Sequence, residues 1–103
     1  MSVSLGITWP GGRFEEVPIA SLQATEAWGE DARELGLELM PYFSSFIPVE
    51  PTNLDQLLSE LGIFRAEMVR RGPEYQQRAE VTDQLIDALR RLKRTQGWSA
   101  SIG

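Results

Sequence analysis

Val3, Leu5, Ile7 and Trp9 alternate with Ser2, Ser4, Gly6 and Thr8 at the start of the chain. A period of two puts every second side chain on the same side, so this segment is predicted to be a strand with one buried face and one small, polar face. PGGR follows. Pro10 fixes φ and Gly11 or Gly12 supplies the positive φ of a tight turn, which predicts a hairpin into RFEEVPI. Pro18 has no N–H to give to a ladder, so the second strand belongs at a sheet edge or ends its pairing there.

From Ser21 the spacing changes to that of a helix. Leu22, Trp28, Ala32 and Leu35 fall near one face and Gly36 stands where a glycine would end it, giving a helix over about 22–35. Gly29 weakens that helix by up to about 1 kcal/mol relative to alanine, so packing of Trp28 is expected to hold it. MPYFSSFIPVEP comes next, and Pro41, Pro48 and Pro51 rule out a continuous helix through it. Thr52 with Asp55 three positions on resembles a helix start. Leu54, Leu57, Leu58, Leu61, Phe64 and Met68 then recur at spacings of three and four as far as Arg71. Gly72 and Pro73 stop this helix and open the last one, about 74–95, whose inward face is Tyr75, Ala79, Thr82, Leu85, Leu89 and Leu92.

After Gly97, WSASIG alternates again, and its alternation matches that of residues 2–9. The two are predicted to pair. The expected fold is therefore α+β: a small antiparallel sheet, made of the N-terminal hairpin and the C-terminal strand, packed against three helices in the order β-β-α-α-α-β. With 103 residues the chain is expected to form one domain with one core. No apolar run reaches the roughly 20 residues of a membrane-spanning helix, and MSVSLGITW lacks the basic start and long apolar stretch of a secretion signal, so a cytoplasmic location is expected.

Composition narrows the chemistry. There is no histidine and no cysteine, which removes the usual general base near neutral pH, thiolate nucleophiles and the commonest metal ligands. No serine lies in a G-x-S-x-G turn or an S-x-x-K arrangement, and no phosphate-binding glycine motif occurs. A non-catalytic protein without cofactor or metal is the expectation. Asp83 and Asp87, four apart on the last helix, and the adjacent Glu15 and Glu16 could each meet a further carboxylate. Their simplest reading is a solvated face, with Asp87 reaching Arg91.

The net charge of −5 is unevenly spread: residues 1–60 balance to −8 and residues 61–103 to +3. The basic run RRLKR at 90–94 ends a helix, where cations complement the dipole, and no aromatic- or glycine-rich nucleic-acid motif accompanies it, so nucleic acid is not expected as a partner. Glu26, Glu30 and Glu34 are successively four apart on the first helix, with only Arg33 beside them and with Asp31 and Glu38 close in sequence. Like charges at that spacing oppose the helix. Such a stripe suits either solvent or a basic protein partner.

Tyr42, Phe43 and Phe46 cannot all point one way from an irregular backbone. Phe43 and Phe46 are natural recruits to a small core, yet aromatics on a loop beside an acidic helix are also the composition of an interface centre. The candidate partner-binding set is thus Glu26, Glu30, Asp31, Glu34, Glu38, Tyr42, Phe43 and Phe46. By charge and size alone the profile is similar to that of small acidic inhibitors of toxic nucleases, the bacterial immunity proteins. Two alternatives remain: a homo-oligomer formed through the small, polar face of the sheet, and a small carboxylate-based enzyme or ligand-binding domain using Tyr42 or Tyr75.

Overall fold

A computed structural model describes all 103 residues. The alternating segments form strands β1 (Ser2–Thr8) and β4 (Ser99–Ile102), the segment after the PGGR turn forms β2 (Phe14–Ser21), and the helical spacings form α1 (Leu22–Glu34), α2 (Leu54–Arg71) and α3 (Gln76–Lys93). The predicted α+β architecture and its order are therefore present. To them is added a short strand, β3 (Ile47–Val49), inside the proline-rich stretch. The sheet is antiparallel throughout, in the order β2-β1-β4-β3.

The hairpin turn uses both glycines at positive φ, 92° and 91°, a conformation in which a side chain would be strained. Pro18 lies on the edge strand, as its missing N–H requires. The register shifts beside it, so that Val3 faces Ala20 while Ser4 faces Pro18, and Ile19 is left as the extra residue of a bulge. β4 returns along β1 with Gly6 opposite Ser101 and Thr8 opposite Ser99, and β3 extends the sheet with Pro48 opposite Ser101.

One face of the sheet is apolar and buried: Val3, Leu5, Ile7, Val17, Ile19, Ile47, Val49 and Ile102 all join the core. α1 and α3 pack on the hairpin, and α2 packs along α3. The ring of Trp28 stacks on that of Phe64, with centroids 5.3 Å apart, and so ties α1 to α2. Gly29 has a structural reason: a Cβ there would stand 3.2 Å from the carbonyl oxygen of Pro41. The helix gives up propensity in order to let the following segment lie against it.

That segment is core as well as connection. Met40–Tyr42 form a 3-10 turn, and Met40 and Phe43 are fully buried. The predicted helix start at Thr52 differs in detail. The residue preceding α2 is Asn53, and its side chain makes no cap. Instead Asn53 Nδ2 donates to the carbonyl of Pro48 at 2.9 Å, and its Oδ1 accepts from the Glu50 N–H at 2.9 Å. β3 thereby presents at its outer side a proline, which has no N–H and whose carbonyl is already occupied.

Candidate partner-binding surface

The eight candidate residues divide three ways. Glu26, Glu30 and Glu34 lie on the exposed face of α1, and none of them makes an ion pair. Glu38 is exposed as well. Tyr42, 57% exposed, sits on the turn that packs against α1 through Pro41 and Gly29.

Asp31 does not belong to the acidic stripe. It adjoins Glu30 in sequence, yet its angular position on α1 points it toward the other helices. Its carboxylate pairs with Arg71 Nη1 at 3.1 Å and Arg78 Nη1 at 2.6 Å, and both guanidiniums also stack on Tyr75 at 5.4 and 5.3 Å. Asp31 therefore fastens α1 to α2 and α3. Phe43 is entirely buried and is withdrawn from any surface. Phe46 is 60% exposed but on the far side of the sheet, where its ring lies against Gly103. The acidic helix and this aromatic thus face different directions.

On the open face of the sheet, Phe46 and Phe14 flank a trough of about 410 Å³ floored by Ser4, Gly6, Ser101 and Gly103. Phe14 is 63% exposed and its ring leans over Gly6, whose missing Cβ would meet it at 3.3 Å. The alternation of β1 predicts the small floor. It carries no sign of Phe14 at the edge, whose opposition to Thr8 across the hairpin follows only once the register is known.

Glu60 is the functional-looking carboxylate that periodicity conceals, because it occupies an apolar face of α2. It is 5% exposed. Its oxygens accept from the backbone N–H groups of Glu38 (3.3 Å), Leu39 (2.9 and 3.1 Å) and Met40 (3.0 Å) and from Gln56 Nε2 at 3.0 Å. These bonds satisfy the N–H groups that open the 3-10 turn, so the residue anchors the segment and has no free oxygen facing a cleft.

The paired carboxylates of the sequence do meet others. A groove between β2 and α3 gathers Glu15, Glu16, Asp83 and Asp87, with Arg91 among them. Arg91 donates to Glu15 at 3.0 and 2.8 Å and lies 3.6 Å from Asp87, while Arg65 pairs with Asp83. The hydrogen bonds from Arg91, joined by one from the Trp9 indole and opposed by burial, pull the Glu15 carboxyl from 4.5 down to about 2. A carboxylate held ionised by a bidentate arginine is a poor acid or base near neutrality. No three carboxylates come together as a set able to hold a metal ion. In the basic run, Arg91 is spent on Glu15 and Lys93 on Asp55 at 2.7 Å.

No helix is long and apolar enough to cross a membrane. No protein-family model, no curated protein and no solved structure matches the chain.

Proposed function

We propose that the protein is a non-catalytic binding domain that offers the exposed face of α1 to a basic protein partner. The observation that supports this reading is the unequal treatment of carboxylates on a single helix. Asp31 turns inward and binds two arginines. Glu26, Glu30 and Glu34 keep no cation, although eight basic residues lie in the second half of the chain. Each like-charged pair opposes the helix by about 0.2–0.5 kcal/mol. A cationic partner relieves that repulsion on binding and is steered to the surface by it. Tyr42 is the exposed aromatic of the turn beside this helix, and Glu38 extends the acidic margin. An inhibitor of a basic toxin, in the manner of an immunity protein, is the kind of role this chemistry serves.

The test is capture from the native lysate by the tagged protein and by a variant carrying Glu26→Lys, Glu30→Lys and Glu34→Lys, both washed at rising salt. A basic protein retained by the first, released by salt and absent from the second is the expected result. An identical set of proteins on both would refute the surface.

A second reading is favoured by the two half-exposed phenylalanines on the open sheet face. Two copies meeting face to face would cover Phe14 and Phe46, whereas pairing at the edges is opposed by Pro18, the bulge and the occupied Pro48 carbonyl. Light scattering on the protein and on Phe14→Ser decides it: a dimer that the substitution dissociates supports self-association, and a monomer at high concentration removes it.

A further inference from the structure

Three tryptophans place their indole N–H groups in different ways. Trp9 Nε1 donates to Glu15 at 3.0 Å and Trp98 Nε1 to the carbonyl of Thr95 at 2.9 Å. Trp28 is only 3% exposed, yet its N–H has no acceptor anywhere in the protein. A buried donor left unmatched costs about 1–3 kcal/mol, and for that reason such groups almost always find a partner or reach solvent. No side-chain nitrogen here is both fully enclosed and unpaired. The Trp28 nitrogen is therefore not sealed off from solvent, and the cleft that Trp28 lines is one of about 340 Å³ between α1, β2 and α3.

Ile19, Ala24, Val81 and the indole supply the apolar part of the cleft's lining, beside the uncharged polar Ser21 and Gln77. Its charged groups come from α3 and the turn before it. Arg78 uses Nη1 on Asp31 at 2.6 Å and has no acceptor for its other guanidinium N–H groups. Glu74 stands on the rim without a cation. Asp31 and Glu74 offset Arg78 and its neighbour Arg71, so the cleft supplies hydrogen-bond donors without a net positive charge. That combination suits an acceptor oxygen that is neutral, attached to a short branched hydrocarbon body.

We infer that this cleft is a binding site for a small aliphatic compound bearing a neutral carbonyl oxygen, which accepts from Trp28 Nε1–H while its hydrocarbon body fills the space beside Ala24 and Val81. The site is separate from the acidic face of α1 and does not depend on it.

The indole N–H signals of the three tryptophans report it directly in nitrogen-15 correlation spectra, with Trp28 assigned by its absence in Trp28→Phe or through its contacts to Phe64. In the free protein the Trp28 indole proton is expected to exchange with solvent faster than those of Trp9 and Trp98; exchange as slow as theirs would mean that the nitrogen is closed off and would overturn the inference. Titration with isovaleramide should move the Trp28 indole proton downfield, saturably and at millimolar concentration, as befits a ligand of so few atoms. Isoamylamine, which has a similar hydrocarbon body and no acceptor when protonated, should leave that proton in place. Ala24→Leu, which fills the cleft from an accessible helix position, should abolish the response to isovaleramide while the remaining spectrum shows an intact fold. No saturable shift with isovaleramide, an equal shift with isoamylamine, a stronger response to isovalerate than to the amide, or a response that survives Ala24→Leu would each refute the assignment.

Discussion

Glu60 is the side chain on which the segment after α1 depends. Three consecutive backbone N–H groups, those of Glu38, Leu39 and Met40, converge on its carboxylate, and this substitutes for the side-chain cap that the 3-10 turn lacks. Glu60→Ala strips all three of their acceptor at once. The Met40 N–H is buried and the other two are partly so; orphaning a buried donor costs about 1–3 kcal/mol, so an unfolding free energy lower by at least about 1–3 kcal/mol is expected from urea titration. Glu60→Gln should recover only part of this, because its amide keeps one acceptor oxygen and turns a donor toward the backbone. Glu15 behaves differently because it titrates. Its carboxyl is held at about 2 in the folded protein against 4.5 when unconstrained, chiefly by Arg91. A depressed folded-state value means that the contribution is fully present above pH 4.5 and is lost as the pH falls from there toward 2. The stability gap between the protein and Glu15→Gln, read from urea midpoints, is expected to be largest near neutral pH and to shrink steadily between pH 4.5 and 2.

Two glycines inside helices separate what propensity says from what packing decides. Gly62 on α2 stands in solvent with nothing within 4 Å of the position a Cβ would take, so Gly62→Ala should raise stability by about 0.5–1 kcal/mol in thermal or urea unfolding. Gly29 on α1 would place the same methyl 3.2 Å from the Pro41 carbonyl oxygen, in backbone that Glu60 holds fixed. Gly29→Ala is expected to lower the thermal midpoint despite the gain in helix propensity, since overpacking of this kind costs about 1–3 kcal/mol. Propensity alone marks Gly29 as a weakness of its helix and cannot name its neighbour, Pro41, which lies beyond the helix end in an irregular segment. The same limit governs what else is legible. Alternation locates β1 and β4, the PGGR turn locates β2, and 3.6-residue spacing locates all three helices because each helix buries one face. β3 has three residues and a central proline, too short a run for any period to register, and only the arrival of β4 beside it makes it a strand. Among the candidate contacts, Glu26, Glu30 and Glu34 are readable as one stripe from spacing alone. Asp31 lies off that stripe by its angular position, but that its charge is spent inside the fold follows only from Arg71 and Arg78, on the two later helices. Phe43 and Phe46 are divided between core and surface only by the course of the backbone around Pro48.

At the scale of the whole molecule, the carboxylates of the first half of the chain meet the cations of the second half: Glu15 with Arg91, Asp31 with Arg71 and Arg78, Asp55 with Lys93. The opposite charges of the two halves thus close much of the fold onto itself, and the sheet edges are closed too, by Pro18 and the bulge on one side and by Pro48 and Asn53 on the other. What remains open is the stripe on α1, the trough on the sheet and the cleft beside Trp28. If the stripe is kept for binding, its cost is borne by the free protein and its removal should improve stability. Neutralising Glu26, Glu30 and Glu34 together as Gln removes two like-charged pairs at helical spacing, and a gain of about 0.4–1 kcal/mol in low salt is expected. Added salt screens the same repulsion, so the parent should gain stability between low and moderate ionic strength and the variant should gain less. Measured side by side in urea titrations at two salt concentrations, a variant that is more stable, less responsive to salt and unable to capture the basic partner would mark the stripe as charge retained for binding at the expense of the fold. A variant no more stable than its parent would mean that the three glutamates are fully relaxed in water, and the argument from repulsion would fall.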